Sequence, residues 1–223
     1  MAVETSTHLE EEIKLTAPNQ EVLAAVLRDP WVCALAEDQP PVDRSFLATY
    51  YDTPDRALLR ARWGLRMRQV TDDQWWVELK GRGSLVAGVA RHEELQACSA
   101  LPVATLGSLP PGPVRDQALC AARTDPAAAA LLPLLPLLTT DIQRRILMLT
   151  LPDGCQVELA VDAGIIRAGA KVTSVCEVEL ELIAGSSLSL QHLADTLTQR
   201  HPLTPATQTK FQKGIALLDP IQV

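Results

Sequence analysis

Cysteine pairs at the spacing of metal or redox sites are missing from this sequence. The five cysteines are odd in number and include no Cys-x-x-Cys pair, so the pattern indicates neither a disulfide framework nor a zinc knuckle. The four histidines also lack the spacing of metal ligands, and neither a P-loop nor a nucleophile elbow is present. We therefore expect a reducing compartment, the cytoplasm.

Positive charge and long apolar runs are also scarce. Lys and Arg number 20 against 27 Asp and Glu, for a net charge of -7, which argues against a broad surface for nucleic acid or anionic membrane. Residues 127–138 are apolar but interrupted by proline, and a membrane-spanning helix needs about 20 apolar residues. The N-terminus lacks a basic start followed by an apolar run. We expect a soluble protein that binds any polyanion locally.

Strand-like segments separated by turns occupy most of the chain. Strands are predicted at residues 8–16, 45–53, 63–70, 74–81, 88–97, 141–151, 155–164 and 172–183. Helices are predicted at 19–29, 188–200 and 207–218, and the Ala-, Leu- and Pro-rich residues 101–138 are predicted to form short helices and loops. A length of 223 residues fits one domain, which we expect to span residues 1–223.

Most of the predicted strands have one apolar and one charged face. Arg66 and Arg68 alternate with apolar residues in one strand, and Glu177, Glu179 and Glu181 do so in another. A sheet with a solvated charged face would explain any single strand. The repeated use of Glu and Arg, with almost no Thr, Ser or Gln, favours another arrangement. It predicts an α+β fold with a closed antiparallel eight-stranded β-barrel, helices packed outside and a charged lumen.

The charges of such a lumen indicate its ligand. Carboxylates held close together repel one another unless a cation lies between them, and oxygen ligands without His or Cys suit Mg²⁺ or Mn²⁺. Converging Arg and Lys side chains need an anion, and the planar guanidinium suits phosphate oxygens. Acids and bases in one cavity therefore predict a metal-bound phosphate ligand.

Several motifs resemble those of a known family. The segment EEEIK at residues 10–14 fits the ExExK signature of the CYTH superfamily, the triphosphate tunnel metalloenzymes. Further matches follow in the family's order: YYDTPD at 50–55, GLRMR at 64–68, ELK at 78–80, RHEE at 91–94, VELAVDAG at 157–164, CEVELEL at 176–182 and TKFQKG at 209–214. The ExExK signature alone is a weak signal, but this ordered set covers nearly the whole chain.

The resemblance implies a tunnel that holds a triphosphate, and it implies roles for individual residues. The phosphate-binding cations would be Lys14, Arg66, Arg68, Lys80, Arg91, Arg144 and Lys210. The metal-binding acids would be Glu10, Glu12, Glu177 and Glu179, and the other tunnel acids would be Glu93, Glu158 and Asp162. Catalytic roles would fall to Glu10, Glu12, Lys14, Arg66, Arg68 and Lys80. Arg144 is chosen over Arg145 from the family's spacing, and parity places Glu94 outside.

Within the superfamily the motifs most resemble those of bacterial inorganic triphosphatases. The resemblance implies Mg²⁺- or Mn²⁺-dependent hydrolysis of inorganic triphosphate to diphosphate and phosphate. A thiamine triphosphatase, a class IV adenylyl cyclase and a non-catalytic polyphosphate-binding tunnel are the alternatives. The glutamates favour an enzyme, because a pure binder would gain affinity by losing carboxylates that repel its ligand. The expected partner is a triphosphate substrate, without nucleic acid or membrane, and a homodimer is left open.

Overall fold

The fold contains nine β-strands in the part of the chain that is described. The computed structural model describes residues 7–37, 39–71, 74–86 and 89–218, and it describes their side chains except at 7–10, 82–86 and 90–92. The strands are β1 (Thr7–Thr16), β2 (Val42–Asp52), β3 (Trp63–Thr71), β4 (Gln74–Val86), β5 (Val89–Ser99), β6 (Leu135–Thr150), β7 (Gln156–Ala168), β8 (Lys171–Ala184) and β9 (Thr204–Pro205). The eight predicted strands are confirmed, and most are longer than predicted.

Seven short or medium helices connect these strands in the residues that the structure describes. They are α1 (Gln20–Arg28), α2 (Pro30–Leu35), α3 (Ala57–Arg60), α4 (Pro113–Ala122), α5 (Pro126–Ala129), α6 (Ser187–Arg200) and α7 (Lys210–Ile215). Capping explains where α1 begins, because the Asn19 side chain accepts a hydrogen bond from the Val22 amide at 3.0 Å. The helices predicted at 19–29 and 188–200 are confirmed, and the last helix is shorter than predicted. None of the described helices has the length and apolarity to span a bilayer.

The strands form one antiparallel sheet in the order β5-β4-β3-β2-β6-β7-β8-β1-β9, and β1 also pairs with β5. Strand β1 changes neighbours along its length. Residues 7–13 pair with β5, residues 12–16 with β8, and Leu15 and Thr16 also with β9. The prediction of a closed eight-stranded barrel is therefore wrong. The sheet has nine strands. Only Glu12 and Ile13 of β1 pair with both β5 and β8, so the hydrogen-bonded ladder does not continue around a closed barrel.

The apolar face of the sheet packs against helices. Helices α1, α2 and α6 cover β1, β7 and β8 through buried side chains such as Leu23, Leu193 and Val178. In a second apolar cluster, α3 and α4 cover β3 and β4 through residues such as Leu58 and Leu65. Each fully buried leucine contributes about 1.5–3 kcal/mol relative to an exposed one, so this packing fixes the strands that carry the charged residues.

Helix α7 lies on the opposite face of the sheet, the one that also carries the charged side chains. Its Phe211 stacks on Tyr50 with ring centroids 4.9 Å apart. The two rings belong to an apolar cluster with residues of β6, β7 and β8. Gly214 permits this close approach, because a Cβ there would lie 2.6 Å from Cδ2 of Leu138. The helix thereby brings its lysines to the charged residues of the strands.

Candidate functional site

Strand register brings acids and bases of neighbouring strands directly opposite one another. We call the side of the sheet that carries these pairs the charged face. The opposed pairs are Lys14 with Glu179, Arg144 with Asp162, Arg66 with Glu78, and Lys80 with Glu94. Directly opposed residues lie about 4.5–5.5 Å apart at Cβ, so each pair is within reach of an ion pair.

Lys210 of α7 lies at the centre of one ion-pair cluster. Its Nζ is 2.7 Å from an oxygen of each of three carboxylates, those of Asp162, Glu177 and Glu179. Glu179 also lies 2.6 Å from Nζ of Lys14. Burial alone would lower the pKa of Lys210, but the three carboxylates raise it well above its usual value. The ammonium therefore stays charged at any physiological pH.

Glu179 is the carboxylate on which most of these cations converge. Burial would raise its pKa, but Lys14, Lys210 and Arg144 hold the pKa well below the usual glutamate value. Arg144 also donates two hydrogen bonds of 2.7 Å to Asp162. Charge-assisted bidentate pairs of this kind fix the orientation of the guanidinium. Asp162 of β7 therefore sets the direction in which the remaining N–H groups of Arg144 point.

A second cluster lies on β3, β4 and β5. Arg66 donates from Nε at 2.7 Å and from a terminal nitrogen at 2.8 Å to the two oxygens of Glu78. Lys80 forms an ion pair of 2.5 Å with Glu94. Burial would raise the pKa of Glu78, but Arg66 and then Lys80 lower it to about 2. The cations of this cluster are thus held by carboxylates of adjacent strands.

Arg68 differs from the other arginines of the charged face. Its guanidinium carbon lies 4.5 Å from the centre of the Phe46 ring, and among the described side chains it makes no hydrogen bond or ion pair with a carboxylate. Burial lowers the pKa of Arg68, Glu78 partly offsets this, and the neighbouring Arg66 and Arg144 lower it further. The site therefore contains a partly buried guanidinium whose donors are not taken up by any acid whose side chain is described.

The structure brings most of the predicted site residues together on the charged face. They are Glu12, Lys14, Arg66, Arg68, Lys80, Arg144, Asp162, Glu177, Glu179 and Lys210. Glu158 is half-buried and pairs in register with Glu181, which in turn pairs with Glu12. The side chains of Glu10 and Arg91 lie outside those that the structure describes. Arg145 is exposed, consistent with the choice of Arg144.

The assignment of the two glutamates in β5 is wrong. Glu93 is exposed, whereas Glu94 is 2% exposed and pairs with Lys80. Parity counted from Arg91 places Glu93 on the same face as Arg91 and Glu94 on the other face. Counting back from Leu95 and Ala97, which pack in the apolar core, would have placed Glu94 on the charged face.

Four other residues of the site were not assigned from the sequence. The alternation of β4 placed Glu78 on one face with Lys80, but Glu78 received no role. Lys213, one turn beyond Lys210, reaches Glu177 at 2.5 Å, and helical spacing is its signal. Phe46 carries no signal in its own strand pattern, because its ring contacts arginines from two other strands. Glu181 was recognised as part of a charged face but received no role.

The acids of the charged face are the candidate ligands for a divalent cation. Among the residues whose side chains are described, no three His, Cys, Asp or Glu side chains are arranged to hold a metal ion. Glu12 is paired with Lys14, and Glu177 and Glu179 are paired with Lys210. The donors nevertheless suit a hard cation chemically, because all are carboxylate oxygens. A bound cation would require the lysines to release these oxygens.

Two solved structures resemble this fold over nearly its full length. A candidate adenylyl cyclase from Hippeastrum, described with a dominant triphosphatase activity, is 18% identical with a TM-score of 0.67, covering 96% of this chain and 99% of that one. A candidate adenylate cyclase from Bacillus halodurans is 16% identical with a TM-score of 0.53, covering 93% and 97% of the two chains. At these identities the likeness concerns the fold alone.

Sequence comparison identifies the family. An inorganic triphosphatase of Haemophilus influenzae is 28% identical over 169 residues, which cover 76% of this chain and 45% of that protein. The chain thus spans less than half the length of this relative. Residues 8–215 match the CYTH domain, which confirms the resemblance seen in the motifs. The chain belongs to the CYTH domain family.

Proposed function

We propose that this protein hydrolyses a triphosphate on the charged face, with inorganic triphosphate as the preferred substrate and diphosphate and phosphate as products. The observation that carries the proposal is the convergence of cations from β1, β3, β4, β6 and α7 on one face of the sheet. Arg68 adds a guanidinium without a carboxylate partner among the described side chains. A chain of phosphate groups is an extended anion that could contact several of these cations at once.

Carboxylates orient two of the arginines of the site. Glu78 holds Arg66 and Asp162 holds Arg144 through paired hydrogen bonds. Donors that are already oriented need little reorganisation during the reaction, which is the main source of electrostatic catalysis in phosphoryl transfer. In the reaction, a water oxygen forms a bond to the terminal phosphorus as the phosphoanhydride bond to the leaving diphosphate breaks, and the proton that the water loses passes to a product phosphate oxygen or to solvent. The cations stabilise the charge that moves onto the leaving oxygen.

A divalent cation, Mg²⁺ or Mn²⁺, is part of the proposal. The carboxylates described on the charged face are at least as numerous as its cations, so a triphosphate entering alone would meet little net positive charge. Glu12, Glu177 and Glu179 would hold the cation, together with Glu10. When bound, it would offset phosphate charge and lower the pKa of a coordinated water. The similarity to the inorganic triphosphatase of Haemophilus influenzae supports the choice of substrate.

The test measures product formation from a panel of substrates. Inorganic triphosphate, thiamine triphosphate, ATP and short polyphosphates are each incubated with the protein, with Mg²⁺, with Mn²⁺ or with EDTA. We expect phosphate release to be fastest from inorganic triphosphate, to stop in EDTA and to return with metal. Cyclic AMP and diphosphate from ATP would indicate a cyclase instead. Binding of triphosphate or polyphosphate without turnover of any substrate would indicate a non-catalytic binding protein.

Arg144 and Arg145 provide a matched pair of variants for the same assay. Arg144 lies on the charged face, whereas the adjacent Arg145 is exposed. Arg144→Ala should lower kcat/KM for inorganic triphosphate at least tenfold, whereas Arg145→Ala should change it less than twofold. Equal effects of the two substitutions would show that the reaction does not take place on the charged face.

A further inference from the structure

We propose that Phe46 is a positioning residue, an aromatic platform that holds Arg68 in the orientation that binds phosphate. The inference rests on the proposed function and extends it to a residue outside the matched motifs. Phe46 lies on β2 and is half-buried. Its ring centre is 4.5 Å from the guanidinium carbon of Arg68 and 6.0 Å from that of Arg144.

Strand register explains why this ring reaches two arginines. On β2, Ala48 lies opposite Arg68 of β3, and Arg44 lies opposite Arg144 of β6. Phe46 is between Arg44 and Ala48 on the same face of β2, so it is the diagonal neighbour of both partner arginines. Diagonal neighbours are within reach of long and aromatic side chains. The small Ala48 leaves the space across which Arg68 reaches the ring.

The Phe46 ring orients Arg68, as carboxylates orient Arg66 and Arg144, but the ring adds no negative charge. Arg66 and Arg144 each donate paired hydrogen bonds to an acid, so part of their donor capacity is used. A guanidinium stacked on an aromatic face is oriented by the quadrupole of the ring and keeps all its N–H groups available. Arg68 is therefore fixed in direction and free to donate to phosphate oxygens.

The platform also explains how Arg68 is accommodated close to like charges. Arg66 and Arg144 both act to lower the pKa of Arg68, in addition to the effect of burial. Without the ring, repulsion would favour rotamers in which Arg68 turns away from its neighbours. Phe46 thereby keeps the Arg68 guanidinium directed towards the charged face, where the substrate binds.

The experiment compares Phe46→Leu with Phe46→Tyr, using the full chain in both steady-state kinetics and calorimetric binding of inorganic triphosphate. Phe46→Leu keeps the apolar volume but removes the ring, whereas Phe46→Tyr keeps the ring. Because a cation–π contact at a partly buried site is worth about 1–2 kcal/mol, Phe46→Leu should raise both KM and Kd for inorganic triphosphate by about 5- to 30-fold. Phe46→Tyr should stay within twofold of the wild type. The melting temperature of both variants is measured as a control for folding.

A double substitution separates positioning from a structural role. In an Arg68→Met background, Phe46→Leu should have no further effect on Kd, because the ring then has no Arg68 to orient. An unchanged Kd in Phe46→Leu alone, or an equal loss with and without Arg68, would overturn the inference. Wild-type protein that binds triphosphate without hydrolysing it would refute the proposed hydrolase but leave the role of Phe46 measurable through Kd. Wild-type protein that does not bind triphosphate would refute both.

Discussion

Removal of the Lys210 ammonium is the most direct test of the ion-pair cluster. Lys210→Met keeps the length of the side chain but takes away the cation that lies 2.7 Å from each of Asp162, Glu177 and Glu179. Their side chains are 0%, 0% and 8% exposed. Water therefore cannot readily replace the lost ammonium, and the variant must either bury uncompensated negative charge or take up protons.

The magnitude follows from the partners that remain. Breaking a buried ion pair by removing one member costs about 3–5 kcal/mol. Arg144 still binds Asp162 and Glu179, and Lys213 still binds Glu177, so we expect the lower end, about 3 kcal/mol. In a protein of this size 1 kcal/mol shifts the melting temperature by about 2–4 °C. The melting temperature should therefore fall by about 6–12 °C at pH 7.

The pH dependence gives a second, independent readout. The pKa of Glu179 is held low against the effect of burial by Lys14, Lys210 and Arg144, and removal of Lys210 should raise it. A carboxyl with a depressed pKa stabilises the fold above its unfolded pKa and loses that contribution as pH falls. In Lys210→Met, Glu179 contributes less of this stabilisation at neutral pH. The deficit of the variant should therefore be largest near neutral pH and should narrow as pH falls below 4.5, the usual glutamate value.

Chemical denaturation of both proteins across this pH range measures the difference. Lys213→Met is the control, because Lys213 contacts one carboxylate and is more exposed than Lys210, and it should lose less stability. A loss below about 1 kcal/mol for Lys210→Met, or a deficit that grows on acidification, would show that these acids do not depend on Lys210.

Two further substitutions test other parts of the charged face. Arg68→Ala should abolish most of the rise in melting temperature that inorganic triphosphate produces. It should leave the ligand-free protein as stable or slightly more stable, because removal of a charge close to Arg66 and Arg144 offsets the lost contact with Phe46. A less stable variant with the full ligand-induced rise would contradict this. Glu78 has a pKa of about 2, because Arg66 and Lys80 outweigh the effect of burial. The lowered pKa corresponds to about 3 kcal/mol of the free energy of unfolding. This contribution should persist above pH 4.5 and be lost as pH falls towards 2. Denaturant titrations from pH 7 to pH 2 should show this decline in the wild type and a weaker one in Glu78→Gln, and equal slopes would refute the assignment.

The alternation of side chains predicted which residues share a face, and it did so correctly for most strands. Leu65 and Met67 are buried, while Arg66 and Arg68 lie on the charged face. Period-two alternation is a local property that a single strand displays by itself. It failed in β5 because two consecutive glutamates give opposite parities, and the correct one is counted from the apolar residues Leu95 and Ala97, which the structure buries.

The sequence by itself therefore determined the family, the strands and the side on which most charges lie. Only the tertiary structure decided which acid neutralises which base. The pairs of Arg66 with Glu78 and of Lys80 with Glu94 depend on register between strands, and Lys210 reaches its carboxylates because α7 packs against Tyr50 through Phe211. The two-residue strand β9 and the change of partners along β1 were likewise beyond the sequence pattern. Such contacts join residues far apart in the chain, and their geometry is set by long-range packing, about which local periodicity carries no information.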